Sequence, residues 1–327
     1  GPGPPAAPDD RLEEARVHAQ SPGRFVVTRI RDGAGILLLV TVVIFLLGYG
    51  LGDPAALMSP VDATPEQIEN LRRLLGLDRP LYVQFIDYFS HLLRGDFGES
   101  LWQYRPALPI VLEALPFTLL LTATALVLAG LLGGINGTLA GFWAGSRFDR
   151  VTNFLTVAAV SVPSFWVGLI LIAIAAVRIQ LFPTSGFTGW QSLVLPAVTL
   201  AVVHGGRIHL LVRSATFEEM TKPYAMVARS KGLPDRLILW KHVLRNTSVT
   251  VATTIGWEYV RMLGGAAFAV EVVFAWPGVG QLMINAANRH DFPVLQCAVI
   301  VAGAFVVATN ALVDIGYRLM DARLRVA

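Results

Sequence analysis

The sequence predicts an all-α integral membrane protein with six transmembrane helices and both termini in the cytoplasm. Three observations carry this. Of 327 residues, 54% are hydrophobic and only 15% charged, outside the usual range of a soluble domain. Runs free of charged side chains occur at 33–52, 114–146, 151–177, 179–206 and 292–313. Each is long enough for a helix to cross the hydrocarbon core, which takes about 20 residues. A sixth span, 248–274, is interrupted by Glu258, Arg261 and Glu271. The cations then orient the chain. With both ends inside, 17 of the 26 Lys and Arg fall in cytoplasmic segments and 7 in outer ones, while Arg207 and Arg261 lie within spans. The reverse orientation would put the 17 outside, against the positive-inside bias.

Residues 1–23 are rich in Pro and small residues without hydrophobic periodicity, and are expected to be a disordered cytoplasmic tail. The first apolar run, within 24–52, has no small-x-small cleavage pattern, so it reads as a retained transmembrane helix rather than a signal peptide. Gly52-Asp53-Pro54 then turns the chain into an outer helical loop over 53–113. In it, Thr64-Pro65-Glu66-Gln67 has a capping hydroxyl, a proline at the first helical position and a glutamine three after the cap. A second amphipathic piece, 81–93, puts Tyr82, Phe85, Ile86 and Phe89 on one face.

The remaining residues, 114–325, form the expected five-helix core. Pro163 lies inside the third span and should bend it, either as a packing kink or as a hinge. Between the fourth and fifth spans runs the polar, basic stretch YAMVARSKGLPDRLILWKHVL, 224–244. All three lysines of the chain, Lys222, Lys231 and Lys241, lie in or just before it. From Arg213 to Arg245 seven cations face three acids, a net of +4, and positive-inside anchoring would account for most of them. A first helix can run from Tyr224 through Met226, Val227, Ala228 and Arg229 to Lys231. Gly232, with Leu233 and Pro234 after it, breaks that helix at low steric cost, and a second helix follows over 235–243.

Within the spans, charge stands out. An unpaired charge at mid-membrane costs about 2.5–3.5 kcal/mol on insertion scales, so such groups face a partner or a wet cavity. Glu258 and Arg261 are three apart and can pair along one helical face. Arg207, with His204 one turn before it, is a third candidate. These four either line a path or form an intramembrane ion pair. Glu271 precedes a turn at Trp276, Pro277 and Gly278, which reads as an outer gate. The single cysteine, Cys297, reads as a packed apolar residue.

No bond-breaking constellation is visible: the chain has no GxxxxGK[ST] phosphate loop, no HExxH, no GxSxG and no cysteine pair. Catalytic and metal-ligating residues are therefore not assigned, and no cofactor is expected on this chain. His204 and His209 are close in sequence, but five residues apart they occupy different helix faces.

Ala228, Gly232 four residues on, and Leu244 twelve beyond the glycine resemble the coupling loop of permease subunits in ABC importers. ARSKGL (228–233) and KHVLRN (241–246), with His242 at a position where many permeases differ, are similar to the oligopeptide, dipeptide and nickel branch. TPEQ, LRRLLGLDRPL and GDFGES in the outer loop, GGAAFAVEVVFAWPGVGQLMINA from Gly264, DFPVLQ, and LVDIGYRLMDARLR at the end extend the resemblance over nearly the whole chain. Relatives usually carry uncharged residues at the positions of Glu258 and Arg261, so the resemblance does not explain those two.

The resemblance implies a type I-like permease fold in the cytoplasmic membrane of a prokaryote, carrying short peptides, or nickel or another small solute. It implies a coupling loop over 216–247 that docks on a separate ATPase. It also implies a related permease as partner, a heterodimer, with two ATPase subunits that bind the ATP and Mg, and an extracytoplasmic substrate-binding protein. The outer loop would then meet that binding protein, or simply cap the bundle. An ion-coupled secondary transporter or channel is the rival class, since intramembrane Glu258 and Arg261 suit it. However, inverted repeats are not apparent, and the basic loop would go unexplained.

Overall fold

The computed structural model describes residues 22–50, 55–56, 63–74, 76 and 78–320. Among them the regular elements are all helices, and the one bridge between extended residues pairs Glu99 with Pro106. Helix α1 spans Pro22–Gly50, so the last two residues of the expected tail belong to it. The rest of that tail, the turn at 52–54 and residues 321–327 lie outside the described residues.

Helix α2 (Pro65–Leu74) starts as its sequence dictates: Gln67 Oε1 accepts from Thr64 N at 2.8 Å, and Thr64 Oγ1 accepts from Gln67 N at 3.3 Å. Helix α3 (Leu81–Leu93) turns only part of the expected face inward, Phe85 and Phe89. Phe85 and Tyr88 pack their rings on Phe45 of α1, at 5.3 and 5.5 Å, whereas Tyr82 and Ile86 are exposed. The apolar residues of α3 wrap more than one face, and the position of α1 decides which of them is covered.

The longest helices, α4 (Ala107–Phe142) and α7 (Trp190–Thr221), are the most closely joined pair. Ala125, Ala129, Gly133, Gly137 and Gly141 recur every four residues on α4, and all are buried. They bring the two backbones almost into contact: a Cβ on Gly137 would stand 2.7 Å from the His209 carbonyl oxygen of α7. Small residues at this spacing let membrane helices approach until dispersion and weak polar contacts hold them. Around this seam Leu121, Leu200, Ile208 and Trp276 are wholly buried.

Helices α5 (Arg147–Val160) and α6 (Ser164–Leu171, extended by a π turn over Ile172–Arg178) meet at an angle of 103°. Pro163 can donate no backbone bond and sits extended, at ψ 140°, so the expected bend is nearly a right angle. After α7 come α8 (Pro223–Ser230) and the single turn α9 (Asp235–Ile238). A π turn over Leu239–Val243 leads into α10 (Leu244–Arg261). A further π turn over Met262–Ala266, with Gly265 at φ 153°, leads into α11 (Ala267–Val273). The chain closes with α12 (Val279–Asn288) and α13 (Phe292–Met320). Arg29 of α1 pairs with Asp314 of α13 at 3.1 Å. Cys297 is buried among apolar side chains of α13, α12 and α4.

Four described helices are long and apolar enough to cross a membrane: Val27–Gly48 within α1, α4, α7 and Phe292–Arg318 within α13. A fifth is added if the bent pair α5–α6 counts as one span. The sixth expected from sequence, 248–274, is shared between α10, the π turn and α11. Its threonines and charges lower its hydropathy, and Gly265 interrupts it.

Candidate translocation and coupling site

The loop between α7 and α10 is a folded unit with its own core. Pro223 opens α8, and the left-handed Gly232 (φ +80°) closes it, donating to Arg229 O at 2.9 Å while Leu233 N donates to Ala228 O at 3.2 Å. Met220, Ala225, Ile238, Leu239 and Val243 are buried, with Tyr224, Ala228, Leu233 and Leu244 packed against them. His242 lies half-buried with its ring 6.4 Å from that of Tyr224. Arg229 clasps the unit from outside, donating to Asp235 Oδ1 at 2.6 Å and to Met220 O at 3.1 Å.

Of the residues singled out in sequence, Met226, Val227 and Lys231 are exposed. Leu237 and Trp240, the latter 73% exposed, add to the apolar surface that this basic loop shows to solvent. Those two were not singled out, because aromatic and aliphatic residues in a mixed loop carry no sign of which way they point.

Glu219, at the end of α7, gathers the loop's base. It accepts from the Tyr224 hydroxyl at 2.7 Å and from Asn246 Nδ2 at 3.3 Å, and it pairs with Lys222. Burial, with the Glu219 carboxylate beside it, pushes the Tyr224 phenol up to about 12, so it remains a donor at any ordinary pH.

The four intramembrane candidates meet at one carboxylate. Glu258 of α10 is 1% exposed; His204 Nδ1 of α7 lies 2.7 Å from its Oε2, and Arg261 Nη1 lies 2.7 Å from its Oε1. Arg207 Nη1 is farther, at 3.7 Å. His204 is as buried as Glu258, whereas the side chains of Arg207 and Arg261 are 37% and 57% exposed. A buried acid thus holds two helices together while its cationic partners reach outward.

Glu271 and the three residues of the turn after α11 are also brought together, mostly inward. Glu271 is fully buried, and its Oε2 accepts from Gly280 N at 2.6 Å. Trp276 is buried, with its Nε1 donating to Phe117 O at 3.0 Å and its ring edge-on to Phe117 and Phe187. Pro277 and Gly278 complete the turn, and Gly278 lies against the Glu271 carboxyl. Thr118 of α4 accepts from Val279 N at 2.9 Å. The turn therefore stitches α11, α12 and α4.

One contact has no signature in sequence. Asp149, buried at the start of α5, accepts a two-pronged ion pair from Arg213 of α7 and a bond from Gly145 N at 2.9 Å. The partners are 64 residues apart, and nothing in a single sequence matches them.

Comparison with known proteins accords with this architecture. Residues 133–326 match the family described as "Binding-protein-dependent transport system inner membrane component", and residues 23–122 match its N-terminal companion. The chain belongs to this family. It is the inner-membrane permease component of a bacterial ABC importer, an integral membrane protein of a transport family. Membership implies ATPase and substrate-binding protein partners. Similar proteins include "Glutathione transport system permease protein GsiC" of Salmonella choleraesuis (strain SC-B67) and of Salmonella typhi, each 35% identical over 92% of this chain and 98% of theirs. The GsiC of Escherichia coli (strain K12) is 33% identical over the same shares.

Proposed function

We propose that this permease forms part of the translocation path for short peptides and couples it to separate ATPase subunits through the loop over 216–247. The carrying observation is that loop. Its apolar core gives it a shape of its own, while Met226, Val227, Leu237 and Trp240 stay exposed beside Lys231 and Arg236. Exposed apolar side chains interspersed with cations on a loop that has its own core suit protein docking better than lipid anchoring alone. ATP binding closes the ATPases, the loop moves with them, and the bundle alternates between outward- and inward-open states.

The unit has six crossings with both termini cytoplasmic, the span 248–274 crossing as the lining of a wet path rather than as a lipid-facing helix. It pairs with a related permease as a heterodimer. ATP and Mg are held by the ATPases, and none by this chain. Peptide as cargo is supported by relatives named for glutathione, itself a short peptide. The outer turn at Glu271, Trp276, Pro277 and Gly278 gates the external mouth.

Reconstitution of the chain with its partner permease, ATPases and binding protein tests this. Uptake of short peptides that requires ATP, with ATP turnover rising when peptide is present, is the expected outcome. Uptake driven by an ion gradient without ATPases would overturn the reading, and stimulation by nickel but not by peptides would overturn the cargo.

A further inference from the structure

We infer that Arg207 and Arg261, held by a Glu258 that His204 anchors, form a carboxylate-binding station for the cargo's C terminus midway along the path. The inference rests on the translocation reading above. Two guanidiniums share one carboxylate, and among the described residues neither has another acidic partner, so the cluster holds a positive charge in excess. Glu258 and His204 are sealed in the protein; the arginine ends are not.

The direction in which they open is set by their neighbours. On α10 the exposed residues Asn246, Thr250, Trp257 and Arg261 lie one or two turns apart along one side, a mixed face whose only apolar member is Trp257. On α7, half-buried Arg207 continues into exposed Leu211, Ser214 and Glu218 at the same spacing. A lipid-facing helix of this chain looks different: α1 exposes Ile36, Leu39, Val43 and Leu46. Between the loop and the cluster, Ser214, Thr250, Arg207 and Arg261 interrupt the apolar Leu211 and Trp257, which suits a side turned to water and cargo better than one turned only to acyl chains.

Its chemistry selects an anion. Guanidinium presents a planar fork of donors matched to a carboxylate, and Glu258 fixes the Arg261 fork before any ligand arrives. Trp257, one turn before Arg261, offers an apolar surface to the side chain preceding the terminus. Glu258 is here a positioning residue that compensates the arginines when the path is empty and shares them when cargo passes.

The test measures binding of trialanine and of trialanine amide to the complete permease–ATPase complex in nanodiscs, without the binding protein, whose own selectivity is thereby removed. The free acid should bind about ten-fold more tightly than the amide, one charge-assisted contact. The paired change Arg207→Gln with Arg261→Gln should bring the two ligands level by weakening the acid alone, and the paired Lys variants should keep a preference. Glu258→Gln, which keeps both cations but loosens the Arg261 fork, should retain a preference for the acid. A purely structural ion cluster predicts the opposite: equal affinities in the native complex, and acid and amide falling together in every variant. Failure of the Gln variants to assemble with the partner permease, with the Lys variants and Glu258→Gln showing no preference, would assign the arginines to the subunit interface and overturn the inference. ATP-driven uptake without any carboxylate preference defeats the station only; absence of ATP-driven uptake defeats the functional reading beneath it.

Discussion

The Tyr224 hydroxyl donates to Glu219 across 2.7 Å, joining the first turn of α8 to the last turn of α7. The bond ties the loop to the helix that carries His204 and Arg207. Tyr224→Phe should lower thermal stability by about 1 kcal/mol, the net value of one such bond, and raise the ATP consumed per peptide imported. The native phenol is at about 12, against an ordinary 10.0, so its contribution is complete below pH 10 and declines as pH rises towards 12. Thermal melts of native and Phe proteins should therefore converge in that alkaline window and differ by a constant amount below it.

Gly232 has φ +80° and open space where a Cβ would stand. A side chain there meets backbone strain of about 1–2 kcal/mol but no clash inside the chain. Gly232→Asp should accumulate in the membrane at near-native levels while ATP turnover no longer responds to peptide. Normal uptake by a stable variant would count against the docking role.

Trp240 is exposed and supports nothing within the chain's core. Truncation to Ala should leave the melting temperature unchanged and weaken retention of the ATPase on purification, by about 2 kcal/mol if it is an anchor. An unaltered yield of complex would move the docking surface elsewhere.

On the α4–α7 seam, Gly137→Leu has no room to enter, because the His209 carbonyl fills the site. It should cost at least roughly 1–3 kcal/mol and reduce the monodisperse yield in detergent. Gly134→Leu, three residues earlier with nothing within 4 Å, is the control and should be nearly silent.

Glu271→Ala leaves the buried Gly280 N–H without its acceptor and should destabilise by about 1–3 kcal/mol, whereas Glu271→Gln keeps an acceptor and should lose less. Unfolding followed by tryptophan fluorescence would report it, since Trp276 donates from the same turn.

Much of this molecule was legible in order along the chain. Apolar run length marked α1, α4, α7 and α13, the Thr64–Gln67 box marked the start of α2, and Gly232 with Pro234 marked the break between α8 and α9. The Gly133, Gly137 and Gly141 repeat was equally open to reading, since its spacing alone predicts a close helix contact. Such features are local: they depend on residues within a few turns of one another, and a sequence displays those directly.

What stayed hidden was every decision made between distant segments. Sequence placed Glu258 beside Arg261, but only the packing of α7 on α10 brought His204 to it from 54 residues away and left Arg207 and Arg261 half open. Only packing chose Phe85 and Tyr88 over Tyr82 as the inner face of α3, and Arg213 as the partner of Asp149. The reason is physical: hydropathy and backbone preference are properties of a residue and its neighbours in the chain, whereas burial, ion pairing and the direction a charge faces are properties of the space that other helices leave.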